Sequence, residues 1–332
     1  MPETKDLAAV GNAIVDVLAH CDDDFLVAND IPKGGMVLIG AEHALNIYKA
    51  MGETTEIAGG SAANSTACLA SLGGSAAFIG KVGQDRLGEA FRQSLEDTGV
   101  SFVTEPMTDH TPTGRCLINV TPDAERSMMT FIGAAEHVSE ADIDETVIAS
   151  AAVTYFEGYL FEQPVARAAM VKACEIAKAN GRKTAITLSD SGCVERQKSN
   201  FLSFIKEHVD IVFANEEEAK MLADTLVLDE APKLLNGLAP YLALTRSEKG
   251  SVVVGPDGTA EAVEAIKPAQ LVDTTGAGDG YAGGFLYGFV RDMPLATCAS
   301  LGSLAASEVI SHMGPRPQQS LANLARDHGL IS

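Results

Sequence analysis

The chain has 332 residues, of which 46% are apolar and 21% are charged, and its formal net charge is −21. This length is enough to bury a full core in one large domain, or in one domain and a smaller one. The acidic balance argues against nucleic-acid or anionic-membrane partners, because both need a clustered basic face and the sequence has no Lys/Arg block. Any phosphate site must therefore be local, built from backbone N–H groups, a few cations and bound metal.

The sequence also indicates a cytoplasmic protein. No segment reaches the ~18 consecutive apolar residues of a membrane span. The apolar stretch 7–19 is interrupted by Gly11, Asn12 and Asp16, which a signal peptide disfavours. The six cysteines form no C-x-x-C pair, which is typical of reduced thiols inside the cell. We expect a monomer or a homodimer with small-molecule partners and with no nucleic acid or membrane partner.

Short apolar or β-branched runs alternate with longer helical patterns along the chain. The predicted elements in chain order are strand 8–17, helix 62–72, strand 76–82, strand 153–159, helix 164–180, strand 184–188, strand 211–214, helix 216–224, strands 241–245 and 251–254, and helix 281–290. This alternation predicts an α/β core with a mostly parallel central sheet flanked by helices.

Two segments break this rhythm. Cys21–Ile39 and Ser101–Phe131 are richer in strand and turn signals than the rest of the chain. We interpret them as strands of a small separate sheet that covers the site as a lid. The predicted lid comprises residues 18–39 and 101–131, and the predicted core, with the ATP and catalytic site, comprises residues 1–17, 40–100 and 132–332.

The most informative stretch is 273–285, where a Thr/Gly-rich turn leads into an apolar helical pattern. Glycines let the backbone approach a ligand closely, and the N–H groups and dipole of a helix N-terminus favour an anion. The charge that develops on a transferring phosphoryl group is such an anion. Asp279 lies at the mouth of this cradle, where a carboxylate can accept the proton of an attacking hydroxyl.

Two other interpretations of this stretch are open from the residues alone. Residues 278–283 match G-x-G-x-x-G, the dinucleotide fingerprint of NAD-dependent dehydrogenases. That match would put a carboxylate in the phosphate-binding turn, and it lies late in the chain, so we treat it as accidental. The stretch could also be an ordinary glycine-rich turn before a helix, and the rest of the chain decides between these interpretations.

Residues 273–279, DTTGAGD, resemble the C-terminal signature of the ribokinase family, the PfkB carbohydrate kinases. Three further stretches resemble the family in the same order: GGSAAN at 59–64, GKVGQD at 80–85 with Gly88 following, and NEEE at 215–218. The resemblance covers nearly the whole chain, and no Walker A sequence is present. It implies a ribokinase-like three-layer core with a small β-sheet lid, and an ATP-dependent kinase that phosphorylates a hydroxyl of a sugar or nucleoside.

The resemblance assigns catalytic roles to individual residues. The aspartate that matches Asp279 is the base of the family, and the backbone of Gly276, Ala277 and Gly278 corresponds to its anion hole. Arg126 matches an arginine of the adenosine-kinase branch that reaches the transferring phosphates. A solvent-exposed arginine at a hairpin edge is the alternative for Arg126.

The resemblance also implies a substrate site. The opening G-N-x-x-x-D match places Asn12 and Asp16 there, and the second signature adds Gly59, Gly60 and Asn64. A carboxylate after an apolar strand can bind two vicinal hydroxyls, because it offers two acceptors to two donors. The alternatives are a solvent-facing turn residue for Asp16 and a plain glycine turn with Asn64 in the first turns of a helix.

A nucleotide site and its metal follow from the same resemblance. Glu218 resembles a glutamate that orders Mg²⁺ and phosphate through water, although an acidic first turn stabilised by the helix dipole explains it equally well. Ser247 replaces the first glycine of the T-x-G-x-x-G nucleotide loop, which leaves the positive φ of that loop in question. The family often binds K⁺ through backbone carbonyls, so K⁺ is a third cofactor to consider beside ATP and Mg²⁺. The full set of expected nucleotide-binding residues is Asn215, Glu218, Thr245, Ser247, Gly250 and Thr274.

Within the family, the sequence most resembles the adenosine kinases, at 11–17, 125–127, 157–159 and 187–189. We therefore expect phosphorylation of the 5′-hydroxyl of adenosine or a related ribonucleoside. A sugar kinase acting on ribose, fructose or 2-keto-3-deoxygluconate is the alternative. A non-catalytic ligand sensor with the same fold is a more remote one, since neither the base nor the anion-hole glycines are lost.

Overall fold

The computed structural model describes residues 4–123, 125–226, 235 and 237–332. Within these residues the strands form a large and a small sheet. The large sheet contains β1 (Lys5–Val10), β5 (Ala76–Ile79), β6 (Ser101–Phe102), β9 (Ala151–Glu157), β10 (Lys183–Thr187), β11 (Ile211–Asn215), β12 (Tyr241–Thr245), β13 (Ser251–Val254) and β14 (Ala260–Val263). The small sheet contains β2 (Ile14–His20), β3 (Met36–Leu38), β4 (Thr55–Ala58), β7 (Gly114–Val120) and β8 (Arg126–Phe131).

The large sheet has the strand order β14-β13-β12-β11-β10-β9-β1-β5-β6. Every neighbouring pair from β12 to β6 is parallel, whereas β13 and β14 are added antiparallel at one edge. The carboxyl ends of the parallel strands therefore lie along one edge of the sheet, which is where α/β proteins bind ligands.

Helices cover both faces of the large sheet. The helices of the described residues are α1 (Asp23–Ala28), α2 (Ala41–Ala50), α3 (Ser61–Ser71), α4 (Arg86–Glu96), α5 (Glu145–Ser150), α6 (Pro164–Ala179), α7 (Ser191–His208), α8 (Glu216–Ala223), α9 (Ala277–Phe289), α10 (Leu295–Val309) and α11 (Leu321–Asp327). Of these, α1 and α2 lie in the chain between β2 and β4, and α2 contacts β7 and β8 of the small sheet. Within the described ranges, none of these helices is long and apolar enough to cross a membrane.

Alternation along the strands explains why the sheet has helices on both sides. In β1, Leu7 and Ala9 belong to the core cluster that includes residues of α3, α4, α9 and α10, and Ala8 and Val10 belong to the cluster that includes residues of α5 to α8. Because successive side chains of a strand point to opposite faces, both faces of a buried apolar strand need a covering layer. The predicted three-layer α/β core is confirmed.

The predicted opening strand 8–17 is wrong. The structure ends β1 at Val10 and begins β2 at Ile14, and β2 belongs to the small sheet. Just after the end of β1, the Asn12 N–H donates to the side-chain carboxylate of Glu157, 3.0 Å away, instead of to a backbone carbonyl of the sheet. The other predicted strands and helices are present, with ends that differ by a few residues.

The small sheet has the order β3-β8-β7-β2-β4, and it draws on more of the chain than the predicted lid segments. Its strands include residues 14–17 and 55–58, which the sequence assigned to the core, whereas Ser101–Phe102 pairs with β5 of the large sheet. Segment 21–39, predicted as strand and turn, also contains helix α1, whose first turn is capped by Asp22. The division into core and lid stays a prediction.

Candidate active site

Several polar residues lie at the carboxyl ends of the parallel strands. Asn12 follows β1, Glu157 ends β9, Asn215 ends β11 and Thr245 ends β12. Strand pairing places these ends along the same edge of the sheet. The fold therefore brings together Asn12, Asn215 and Thr245, which are far apart in the sequence and which we predicted for the substrate and nucleotide sites.

Helix α9 begins at this edge with an open N-terminus. Gly276 precedes it with φ +78°, and a Cβ at this position would lie 2.7 Å from Pro315 Cβ, so the turn requires glycine. No side chain of the described residues caps the helix. The Ala277 N–H turns back to Thr274 O at 3.2 Å, and a Cβ on Gly278 would meet nothing within 4 Å. This end of the helix can thus accept an anion.

Asp279 lies in the first turn of α9, and both of its oxygens accept a hydrogen bond. Ser61 Oγ donates to Oδ1 at 2.6 Å, and Asn64 Nδ2 donates to Oδ2 at 2.9 Å. Burial raises the pKa of Asp279 above its ordinary value, and the two hydrogen bonds act in the opposite direction. Residues of the 59–64 and 273–279 motifs, over 200 residues apart in sequence, therefore meet at one carboxylate.

Arg316 holds the other end of the Asn64 amide. Its Nε donates to Asn64 Oδ1 at 3.3 Å, its Nη2 to Gly59 O at 3.3 Å and its Nη1 to Ser94 Oγ at 2.8 Å. The guanidinium also lies over the Phe91 ring, 5.7 Å from its centroid. Sequence reasoning missed Arg316, because it belongs to a Gly-Pro-Arg-Pro turn with no helix or strand period.

Asp16 lies in β2 rather than at the end of the first strand. Its carboxylate faces the turn before α3, where a Cβ on Gly59 would be 2.6 Å from Asp16 Oδ2. Gly60 has φ +85°, and a Cβ there would lie 2.4 Å from Asn12 O. Burial raises the pKa of Asp16 to about 7, and the positive charge of Arg316 acts to lower it. The five predicted substrate residues thus lie in one neighbourhood, with Asn64 joining it to Asp279.

Glu157 ties this neighbourhood to the large sheet, and sequence reasoning gave it no role. It is 1% exposed, and it accepts the N–H of Asn12 at 3.0 Å and the N–H of Ala62 at 2.9 Å. Burial raises the pKa of Glu157 to about 7, although the two backbone donors lower it. The signal available in the sequence was a single acidic residue closing an apolar strand.

Arg126 connects the small sheet to the turn before α9. Its Nη1 lies 2.7 Å from Asp273 Oδ1 and donates to Thr275 Oγ1 at 2.7 Å. Burial acts to raise the pKa of Asp273, but hydrogen bonds from Thr275 and Gly314 and the charge of Arg126 together lower it. Arg126 is therefore not a free hairpin-edge residue. It contacts the turn that directly precedes the anion cradle.

Asn215 and Glu218 form a capping box at the start of α8. Asn215 Oδ1 accepts the Glu218 N–H at 2.9 Å, while the N–H and Nδ2 of Asn215 donate to the Glu218 carboxylate at 2.9 and 2.7 Å. Burial raises the pKa of Glu218 to about 7. Helix capping is thus an observed role of this pair, and a role toward Mg²⁺ stays a prediction.

The loop after β12 keeps an unusual backbone conformation. Ser247, which replaces a family glycine, has φ +52°, and Gly250 has φ +83°. The positive φ that the serine left in question is therefore retained. Thr245 Oγ1 donates to Ala214 O at 3.4 Å, which fixes the loop to β11.

The GKVGQD motif has a structural explanation. Asp85 caps α4 by accepting the N–H of Gly88 at 2.8 Å, and it also accepts the Thr113 N–H at 2.8 Å and the Thr113 hydroxyl at 2.6 Å. The motif therefore joins α4 to the start of β7, beside the site.

Known proteins resemble this chain over nearly its full length. Adenosine kinase from Sinorhizobium meliloti is 49% identical, with a TM-score of 0.92 over 98% of this chain and 99% of that one. A probable sugar kinase protein from Rhizobium etli CFN 42 is 44% identical, with a TM-score of 0.93 over 99% and 100% of the two chains. Adenosine kinase from Saccharomyces cerevisiae is 27% identical, and the alignment covers 94% of this chain and 96% of that protein.

The family described as pfkB family carbohydrate kinase matches residues 36–321. That range includes Asp279, Asn64 and the nucleotide loop, and it exceeds half of the chain. Kinase relatives with this coverage imply the use of ATP. The chain therefore belongs to the pfkB family of carbohydrate kinases and is a kinase.

Proposed function

We propose that the protein transfers the γ-phosphoryl group of ATP to the 5′-hydroxyl of adenosine or of a related ribonucleoside. The observation that carries this proposal is the position of Asp279. Its carboxylate is held by Ser61 and Asn64 in the first turn of a helix whose N-terminus has no side-chain cap among the described residues. A base beside an open anion cradle is the arrangement that phosphoryl transfer to a hydroxyl needs.

In the proposed reaction the 5′-oxygen attacks the γ-phosphorus of ATP. The new O–P bond forms while the bond from this phosphorus to the bridging oxygen breaks, and ADP leaves. Asp279 receives the hydroxyl proton, and its raised pKa makes it a better acceptor than an exposed aspartate. The backbone of Gly276, Ala277 and Gly278 stabilises the charge on the equatorial oxygens, with Arg126 close enough to assist.

The ribose is held on the other side of Asp279. Asp16 accepts its two vicinal hydroxyls, Asn64 offers an amide, and the turn at Gly59 and Gly60 lets the backbone pass close to the sugar. Asn12 shapes the floor of this site through its bond to Glu157. We propose that the small sheet acts as the lid, because Asp16 and Arg126 both reach the site from its strands.

The nucleotide occupies the edge formed by β11, β12 and α9. No three acidic, histidine or cysteine side chains of the described residues form a metal cluster. Glu218 is the residue that would order the water around Mg²⁺, an ion that usually keeps several waters and binds substrate phosphates. When bound, Mg²⁺ would neutralise part of the phosphate charge. The residues proposed to contact the nucleotide are Asn215, Glu218, Thr245, Ser247, Gly250 and Thr274, and K⁺ near the anion cradle is tested by omitting it.

The proposal is tested by ADP release from ATP and Mg²⁺ with a panel of acceptors. The panel contains adenosine, inosine, ribose, fructose and 2-keto-3-deoxygluconate. We expect selective turnover of adenosine, with kcat lower by roughly 10²–10⁴ in Asp279→Asn. Asp292→Asn, at an exposed position beyond the other end of α9, is the matched control and should behave as the wild type.

A sugar kinase is the second candidate, and the 44% identical Rhizobium etli protein favours it. A sugar kinase needs the same base and the same hydrogen-bond acceptors for vicinal hydroxyls. The acceptor panel therefore decides between a sugar kinase and a nucleoside kinase. Turnover of a free sugar alone overturns the nucleoside assignment and keeps the mechanism. Binding of acceptors without any turnover identifies a ligand sensor and overturns both.

A further inference from the structure

We infer that Arg316 is a positioning residue that orients the Asn64 amide toward Asp279 and brings a positive charge to the Gly59 turn, which faces Asp16. This inference rests on the proposed function, because it assigns Arg316 a part in substrate capture and in holding the base. Arg316 itself touches neither the base nor, in our proposal, the reacting atoms.

Arg316 joins three separate elements of the site. Its guanidinium donates to Gly59 O in the turn after β4, to Asn64 Oδ1 in α3 and to Ser94 Oγ in α4. It rests against Phe91, which is fully buried in the core. A planar fork with several donors can hold three acceptors at once, which a single ammonium cannot do.

The Asn64 amide has one orientation that satisfies both neighbours. Arginine can only donate hydrogen bonds, and an ionised carboxylate can only accept them. Asn64 must therefore point Oδ1 at Arg316 and Nδ2 at Asp279, as observed at 3.3 and 2.9 Å. Without Arg316 the amide oxygen loses this donor, and the bond to Asp279 alone then holds the orientation of the amide.

The charge of Arg316 acts on Asp16. The titratable groups that surround the Asp16 carboxylate are Arg316, Arg126, Asp273, Asp279 and Cys116. Burial raises the pKa of Asp16 to about 7, and Arg316 is the strongest influence that lowers it. Burial lowers the pKa of Arg316 to about 10, so it remains charged at neutral pH. Removing this charge should leave Asp16 protonated at neutral pH, with one hydroxyl acceptor fewer.

The test compares Arg316→Met and Arg316→Lys, with Arg92→Met as the matched control. Arg92 also donates to buried acceptors and lies over Phe102, but it contacts no residue of the site. The adenosine KM and kcat are measured from pH 5.5 to 9, and thermal unfolding is measured for each variant. If Arg316→Met does not fold, Arg316→Lys still tests the inference, because it keeps the positive charge and removes only the planar guanidinium group.

We expect Arg316→Met to raise the KM at pH 7.5 by about tenfold or more and to lower kcat by about tenfold, since bonds to charged groups contribute this much. The pH at which the KM rises should also move upward. Arg316→Lys should keep the wild-type midpoint and lose kcat, and Arg92→Met should change neither.

An unchanged KM, kcat and pH midpoint in Arg316→Met would overturn the inference, as would equal changes in Arg92→Met. These outcomes test the inference only when the wild type turns over adenosine and Asp279→Asn has a kcat lower by roughly 10² or more. Failure of that requirement contradicts the proposed function instead, so the two failures are distinguishable.

Discussion

The two carboxylates of the site, Asp279 and Asp16, are held in different ways. Asp279 has a donor on each oxygen, from Ser61 and Asn64. Among the described residues, no donor forms a hydrogen bond with Asp16, and its charged form is favoured by the positive charges of Arg316 and, less strongly, of Arg126. Burial raises the pKa of both groups.

The two carboxylates therefore differ in orientation: the protein itself orients Asp279 through hydrogen bonds, whereas Asp16 has unused hydrogen-bond acceptors. The protein has already oriented Asp279, as expected of a base that must receive a proton at a fixed point. In the proposed function, the acceptor capacity of Asp16 is left for the hydroxyl groups of the substrate. Loss of Asp279 should therefore affect the reaction step, and loss of Asp16 should affect capture.

The largest expected effect is that of Asp279→Asn. The amide keeps the shape of the side chain but cannot accept the proton, so kcat should fall by roughly 10²–10⁴ while the KM for adenosine changes little. Steady-state kinetics measures both. Near-normal kcat would show that Asp279 is not the base.

Asp16→Ala should have the opposite signature. Loss of two charge-assisted acceptors should raise the adenosine KM by roughly 10- to 100-fold, with a smaller effect on kcat. Asp23→Ala, at an exposed position in the first turn of α1, is the control. A fall in kcat with an unchanged KM would break the division between the two carboxylates.

The pH dependence of capture should follow Asp16. Because its pKa is about 7, the carboxylate gains a proton as the pH falls below 7, and it then accepts one hydroxyl fewer. The adenosine KM should rise by up to about tenfold per pH unit below that point. The profile of Asp16→Asn should be flat in this range, and a wild-type slope in this variant would assign the titration to another group.

Ser61→Ala should have a smaller effect. It removes one of the two donors that orient Asp279, which should lower kcat by about 5- to 10-fold with little change in KM. Ser65→Ala is matched to it, since Ser65 lies one turn further along α3 and bonds to Ser61 O and Tyr155 instead. Equal losses in both variants would mean that the helix, not the donor, matters.

The smallest effect concerns stability. A carboxylate whose pKa rises on folding binds its proton more tightly in the folded state, so its contribution to the free energy of unfolding falls as the pH rises from about 4 to about 7. Asp16→Asn removes this loss, so its free energy of unfolding at pH 8 should exceed that of the wild type by about 1 kcal/mol or more. Its melting temperature at pH 8 should then be higher by a few degrees. Calorimetry at pH 5 and pH 8 measures it, and no gain at pH 8 would contradict the raised pKa.

Much of this site could be predicted from the sequence. The turn at Gly276 needs glycine for its backbone, and the alternation of strand and helix patterns follows from burial on both faces of the sheet. Such signals are local, so the α/β core and the glycine turn before Asp279 could be recognised without the structure. Ser61 also lay within a recognised motif, although its bond to Asp279 could not be predicted.

The remainder depends on tertiary contacts. Arg316 carries no local pattern, and its part in the site comes from acceptors in three other elements. The place of β2 in the small sheet depends on its pairing with β4 and β7, and at the end of β1 the Asn12 N–H bonds to Glu157, 145 residues away. Ser247 adopts a conformation that disfavours side chains, and single-residue preferences cannot predict that it is tolerated.

The position of Asp16 on the small sheet has a consequence for measuring movement. Asp16 and Arg126 belong to that sheet, while Asp279 and Asp273 belong to the chain around α9. Any rotation of the small sheet against the chain around α9 therefore changes two distances together, from Asp16 to Asp279 and from Arg126 to Asp273. Two spectroscopic labels, one on β7 and one on α10, would lie away from the side chains that bind ligands. The distance between them would report the position of the small sheet relative to α10 at each stage of turnover.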